Sequence, residues 1–402
     1  MSFAEEKQLE ETYVMHTFGR KPVEFVSGQG MRLTDDAGRD YLDFLSGIGV
    51  CCLGHSPKPV ADAVAEQAHK LMHVSNYYYI EGRGELAKTL SDLLNQGVAE
   101  ADRTPWQTFF ANSGAEANEC AIKLARYWSR TKSHGGQSIV CLERSFHGRT
   151  LATLAATQQP VKQAAFQPLP GGFLATEPNN IAALEETFAA NKDIAAVMVE
   201  TVQGECGVYP LNPEYLARAA ELAHENGALL ICDEVQCGIY RCGEPYAFQV
   251  LGTTPDIVSM AKGIAGGFPM GACAARAEIA AAFEPGIHGS TFGGSNLAIV
   301  AANATLAAIE EQGIAANVKS CGEYLRAQLA TLPFVKEVRG LGLMCAVEFG
   351  EEVDAAALVL KALDQGLVLN YTGAHTLRFL PPLICSQEDV DVMISRVKGL
   401  LG

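Results

Sequence analysis

Between Gln107 and Ser259 the chain alternates short apolar runs with longer stretches of helical periodicity. The runs Thr108 to Ala111, Ser138 to Leu142, Ala195 to Val199, Leu229 to Cys232 and Ile257 to Met260 read as buried strands. After the first of them, Ala117, Cys120, Ala121, Leu124, Ala125 and Trp128 recur on one helical face, while Glu119 and Lys123 stand four apart on the polar side. Strand and helix in alternation predict an α/β fold with a mostly parallel sheet covered by helices on both faces. Ligands of such sheets bind beyond the carboxyl ends of the strands.

The pattern differs at both ends of the chain. Arg32 to Thr34 and Arg39 to Phe44 flank the turn Asp35-Asp36-Ala37-Gly38 and predict a two-stranded ribbon, followed by a helix from about Pro59 to Met72. Beyond Asn296 come a helix through about Gln312, another from Ile314 to Thr331, and short strands around Val335 to Arg339 and Leu343 to Phe349. These predict a smaller α+β domain assembled from both termini, because a lone ribbon is rarely stable. The expected division is residues 1–50 for its N-terminal segment, 51–296 for the large domain and 297–402 for its C-terminal part.

Composition narrows the partners. The 402 residues carry a net charge of -16, with 48% hydrophobic and 19% charged positions, as expected of a folded globular protein. So acidic a chain, with no basic run to offset it, repels phosphate backbones and anionic membranes, and an anionic substrate must be gripped by local arginines. Met1 to Glu11 is acidic without an apolar core, and runs such as Ala195 to Val199 are too short to span a bilayer, so a cytoplasmic location is expected. The twelve cysteines match no metal-ligand spacing and are expected to be reduced.

Chemistry gathers at the strand ends. Asp256 to Met260 runs into Ala261-Lys262-Gly263, followed by Gly266-Gly267; a lysine desolvated there can attack a carbonyl as a free amine, whereas a lysine on a Gly-rich turn can also simply snorkel to water. Asn112-Ser113-Gly114-Ala115-Glu116 opens a helix whose backbone amides suit a phosphate, although Ser113 alone reads equally as an N-cap. Asp233 ends a buried strand, where it can hold a protonated ring nitrogen or cap the following turn. Phe146 can stack on a planar ring or sit in the core, His147 reads as structural, Arg149 can fork onto a carboxylate, and Glu205 approaches the same edge from the loop after Val199. A phosphate cradle, a stacking ring, a pyridinium acid and a glycine-flanked lysine at consecutive strand ends together describe a site for pyridoxal 5'-phosphate.

From about Tyr13 to Leu383 the chain resembles the class III aminotransferases of the fold-type I pyridoxal phosphate enzymes, the acetylornithine type most closely. The resemblance rests on Asn112-Ser113-Gly114-Ala115-Glu116-Ala117-Asn118-Glu119, Phe146-His147-Gly148-Arg149-Thr150, Gln203-Gly204-Glu205, Asp233-Glu234-Val235-Gln236-Cys237-Gly238, Ala261-Lys262-Gly263, His288-Gly289-Ser290-Thr291-Phe292-Gly293-Gly294 and Leu377-Arg378-Phe379. It implies Lys262 as the Schiff-base lysine and proton carrier between Cα and C4′, and Asp233 on the pyridine nitrogen. Gln236 would touch the ring hydroxyl, with Phe146 and Val235 on the two ring faces. Ser113, Gly114 and Ala115 would hold the phosphate together with Thr291 from the second subunit of a homodimer.

For substrates the resemblance implies Arg149 on the distal carboxylate and a switch in which Glu205 neutralises Arg378 until 2-oxoglutarate claims it, with Phe18 and Ser290 also in the substrate site. Phe18 stands where ornithine enzymes carry a tyrosine, which favours N2-acetylornithine as donor. The implied reaction yields N-acetylglutamate 5-semialdehyde and glutamate, in arginine biosynthesis. Donors such as ornithine, 4-aminobutyrate, N-succinylornithine or N-succinyldiaminopimelate, and a catalytically silent binding protein, are the alternatives. The chain departs from the family where Gly293-Gly294-Ser295-Asn296 replaces Gly-Gly-Asn-Pro. No GxGxxG or GxxxxGK follows a suitable strand, which argues against a nucleotide site.

Overall fold

The apolar runs become the centre of a seven-stranded sheet in a computed structural model, which describes residues 2–402. The strands lie in the order Trp106–Ala111, Gly271–Arg276, Ile257–Met260, Leu229–Asp233, Ile194–Glu200, Ser138–Leu142 and Phe173–Thr176. All run parallel except Gly271–Arg276, which is antiparallel to both of its neighbours. The mostly parallel α/β sheet is therefore as expected, with two strands added. Gly271–Arg276 consists largely of alanine and lacks the β-branched run that marks a strand, and Phe173–Thr176 is a short edge strand. Ile194–Glu200 is buried along its whole length, as a strand covered on both faces must be.

Register brings the chemistry into line. Glu200 lies beside Asp233, and Asp233 beside Ser259, so the carboxyl ends of three adjacent strands are level. The helix Gly114–Lys132 begins at the same edge and buries Ala117, Cys120, Ala121, Leu124 and Ala125 against the sheet.

The N-terminal ribbon is part of a four-stranded sheet. Phe25–Gln29, Arg32–Asp35 and Asp40–Asp43 pair in sequence, and Leu367–Val368 adds in parallel through Leu367↔Leu42 and Val368↔Asp43. A second four-stranded sheet, in the order Val335–Leu341, Met344–Phe349, Thr376–Phe379 and Asn370–Tyr371, carries Arg378 on its third strand. The helices Asn296–Glu311 and Ile314–Leu329 fall close to their expected bounds. Ser295 occupies the N-cap position of the first, so the departing Ser295-Asn296 pair opens a regular helix. Among the described residues no helix is long and apolar enough to cross a membrane.

Candidate active site

Beyond the level strand ends lies a cleft of ≈ 440 Å³ whose walls include Ser113, Gly114, Phe146, Arg149, Asp233 and Lys262. Ala115, Val235 and Gln236 line it as well. The predicted cofactor residues thus converge within one chain, except Thr291.

Asp233 is the floor. It is 3% exposed, and its Oδ2 accepts 2.7 Å from Asn118 Nδ2 and lies 2.8 Å from His147 Nδ1. Its Oδ1 accepts from the Val235 amide at 3.0 Å. Three neighbours hold one carboxylate in place at the strand end, so the simple cap reading of Asp233 is only part of its role. Asn118 was legible as part of the helix motif but not as this donor, because contact across 115 positions leaves no local signal.

Lys262 follows the Ile257–Met260 strand with φ of 47°, a left-handed conformation that costs a non-glycine residue about 1–3 kcal/mol and is retained where surrounding structure imposes it. Burial lowers its amine below the ordinary lysine range, against the opposing pull of Asp233 and Glu205. A lowered amine on a cleft wall gives up its proton more readily, and once free it is a nucleophile and a base.

At the helix start, Ser113 Oγ accepts from the Glu116 amide at 3.2 Å, so Ser113 is an N-cap, and the residue also lines the cleft, where a hydroxyl that accepts can still donate. A Cβ on Gly114 would lie 2.7 Å from Val235 Cγ1, so only glycine lets the backbone come this close. An open backbone at the N-terminus of a long helix is what a phosphate requires.

On the substrate side, Arg378 Nη1 lies 2.6 Å from Glu205 Oε1, with the arginine side chain 3% and the glutamate 25% exposed. The same Nη1 donates to Gln236 Oε1 and to the Gly204 carbonyl, each at 3.1 Å. Asn370 Oδ1 accepts from Arg378 Nη2 at 2.9 Å. For Glu205, burial raises the carboxyl but Arg378 and Gln236 outweigh it, and the net shift is downward. Gln236, which lines the cleft, also joins this pair by donating to Glu205 Oε1 at 3.3 Å. Arg149 and Lys162 both lie over the Phe146 ring, at 5.5 and 4.9 Å from its centre.

Glu205 and Arg378 meet the cleft through Gln236 rather than lining it, and Phe18, Ser290 and Thr291 stand apart from it in the single chain. Phe18 is 77% exposed and lies in a groove beside the helix Phe3–Tyr13. Ser290 and Thr291 line a separate cavity with Asn76, Tyr77 and Tyr79, and Ser290 Oγ accepts from Asn112 Nδ2 at 3.3 Å and the Gly293 amide at 3.0 Å.

The family model for class III aminotransferases matches residues 15–401. The chain belongs to the class III aminotransferases. It is similar to the acetylornithine aminotransferase of Methanocaldococcus jannaschii, 44% identical with 96% of this chain and 95% of that protein covered. The same holds for that of Caldanaerobacter subterraneus subsp. tengcongensis, at 43% identity and 98% of both. Among solved structures, the acetylornithine aminotransferase of Elizabethkingia anophelis superposes with a TM-score of 0.86 at 30% identity, over 100% of this chain and 99% of that one. The ornithine aminotransferase of Toxoplasma gondii gives 0.92 at 29% identity, over 100% and 95%. The fold is fold-type I, and the cofactor of this aminotransferase is pyridoxal 5'-phosphate. The residues present fit that group: a braced carboxylate at the cleft floor, an open helix N-terminus at the rim and a buried amine between them.

Proposed function

We propose that the chain is an acetylornithine aminotransferase. It moves the δ-amino group of N2-acetyl-L-ornithine to 2-oxoglutarate, giving N-acetyl-L-glutamate 5-semialdehyde and L-glutamate in arginine biosynthesis. The observation that carries this reading is the Glu205–Arg378 pair at 2.6 Å, joined through Gln236 to a cleft whose wall carries a second, exposed arginine, Arg149. An ω-amine donor brings a methylene chain where 2-oxoglutarate brings a carboxylate, and an unpaired guanidinium facing the chain would be costly. Glu205 satisfies Arg378 while the donor is bound and releases it to the incoming carboxylate. Arg149 takes the distal carboxylate in both halves.

Bound in the cleft, the cofactor supplies an aldehyde to take up the amine and a ring to draw electrons from the reacting carbon. Lys262 Nζ takes the proton from the donor carbon that bears nitrogen and returns one in the reverse half. Asp233 would pair with the ring nitrogen, Phe146 and Val235 would hold the ring, and Ser113, Gly114 and Ala115 would hold the phosphate.

The site is completed in a cytoplasmic homodimer, with Thr291, Ser290 and Phe18 serving the partner's cleft. Tyr77 at 94% exposure, Tyr79 at 102% and Phe292 at 62% support this, since so much aromatic surface beside Thr291 needs a cover. The small domain comprises residues 1–50 and 297–402, supported by the pairing of Leu367 with Leu42. All twelve cysteines are free, as in a reducing compartment.

The test is a panel of donors, including the acetylated, succinylated and free amines, ranked by kcat/KM with 2-oxoglutarate as acceptor. N2-acetylornithine is expected to rank first; a higher rank for ornithine or 4-aminobutyrate overturns the assignment.

A further inference from the structure

Glu200 ends the central strand Ile194–Glu200 at 5% exposure, and the reaction just described gives it no task. Its two carboxylate oxygens are divided between two loops. Oε1 accepts from the Phe146 amide at 2.7 Å, and Oε2 accepts from the Gly204 amide at 3.2 Å. The first loop carries the ring-stacking aromatic, and the second carries Glu205. The Gly204 carbonyl, which belongs to the next peptide group, accepts from Arg378 Nη1 at 3.1 Å. Arg378 is therefore tied to the backbone of Phe146 through the Gly204 residue, whose carbonyl meets Arg378 and whose amide meets Glu200.

The choice of a carboxylate is informative. Among the described residues no cation within hydrogen-bonding distance compensates it: burial pushes its carboxyl up to about 7, with Asp233 adding to the shift, and His147 and the two amides opposing it. Lys262, Lys162 and Cys206 are the other titratable groups that sense its charge. A glutamine would avoid the cost of the buried charge, but it has a single acceptor oxygen and would set its NH₂ against one of the two amides. Only a carboxylate presents acceptors to both loops. A Cβ on Gly204 would overlap Gln236 Oε1 and crowd Met344 Cε, so it would displace Gln236 from Arg378.

We propose that Glu200 is a positioning residue that transmits the opening of the Glu205–Arg378 pair to Phe146, so that arrival of a dicarboxylate at Arg378 adjusts the aromatic over the cofactor ring. The inference rests on the roles given above to Glu205, Arg378 and Phe146. Coupling through the chain requires that both ends of Glu200 be held, and both distances lie within the hydrogen-bond range.

The experiment uses holoenzyme and glutarate, an unreactive dicarboxylate. In the unmodified enzyme, glutarate is expected to bind and to change the circular dichroism of the cofactor absorption band. In Glu200→Gln, glutarate is expected to bind within about threefold as well, while the dichroic change is largely lost and cofactor affinity falls about 10-fold, the consequence of one buried amide losing its acceptor. A full dichroic change in a folded Glu200→Gln holoenzyme overturns the proposal. Glu205→Gln separates this from the underlying reading: it is expected to tighten glutarate, and if it leaves glutarate affinity unchanged, the switch itself is wrong. Should Glu200→Gln not fold, deuterium uptake in the unmodified holoenzyme decides. Glutarate is expected to alter exchange in residues 201–206 and 143–149 together, and a change confined to 201–206 overturns the coupling.

Discussion

Arg378 and Glu205 meet at 2.6 Å although 173 positions separate them, one on a strand of the C-terminal sheet and the other on a loop of the central sheet. Asn370 holds the far side of the guanidinium through both Nε and Nη2, at 3.2 and 2.9 Å, so the arginine is fixed and the glutamate is the partner able to leave.

Glu205→Gln removes the charge that silences Arg378. The donor half-reaction is expected to lose about 10- to 100-fold in kcat/KM, as the loss of one member of a desolvated pair implies, while the 2-oxoglutarate half-reaction changes by no more than about threefold. Single-turnover absorbance measurements of each half separately check this. Equal losses in both halves would show that Glu205 is not a switch.

Asp233→Asn keeps the size of the floor residue and removes its charge. Turnover is expected to fall about 10³-fold, on the scale of losing a preorganised electrostatic partner. Asn118→Ala removes one of the donors to Asp233 and is expected to cost about 1–3 kcal/mol, read as weaker cofactor binding by fluorescence titration. Wild-type turnover in Asp233→Asn would refute the assignment.

Lys262 makes the stability of the apoenzyme depend on pH with a definite sign. Burial lowers its folded-state value, so the folded chain releases this proton at lower pH than the unfolded chain, whose lysine titrates near ~10.4. The cost of the buried ammonium is present at neutral pH and is relieved as pH rises through the lowered value. Apo Lys262→Met is therefore expected to melt above the parent at neutral pH, with the difference shrinking toward about pH 10. Thermal melts across that range check it; a difference that widens with pH contradicts it.

Gly114→Ala places a methyl 2.7 Å from Val235 Cγ1 at the helix start. Overpacking of this kind costs about 1–3 kcal/mol, and here cofactor affinity is expected to fall with it. Adding Val235→Ala clears the space and is expected to restore most of both losses. If the double variant is no better than the single one, the close approach is not what requires glycine.

Much of the site was legible because its parts are local. Lys262, Asp233 and Ser113 each follow an apolar run that can only be a buried strand, and strand ends of a parallel sheet share an edge. The expected bounds missed Gly271–Arg276, where alanine-rich sequence has no strand signature and pairing with two neighbours supplies the stability instead. Nothing local in the sequence marks Glu200, since its partners Phe146 and Gly204 lie on separate loops.

The sequence by itself determined which chemical groups this aminotransferase has and at which strand ends they stand, because hydrophobic periodicity and turn residues act over a few positions. Tertiary structure alone decided which groups touch. It bound Asn118 to Asp233, tied Gln236 into the Glu205–Arg378 pair and kept Thr291 and Phe18 out of the cleft of their own chain. Those outcomes depend on register and on the packing of segments a hundred or more residues apart, and spacing along the chain carries no record of them.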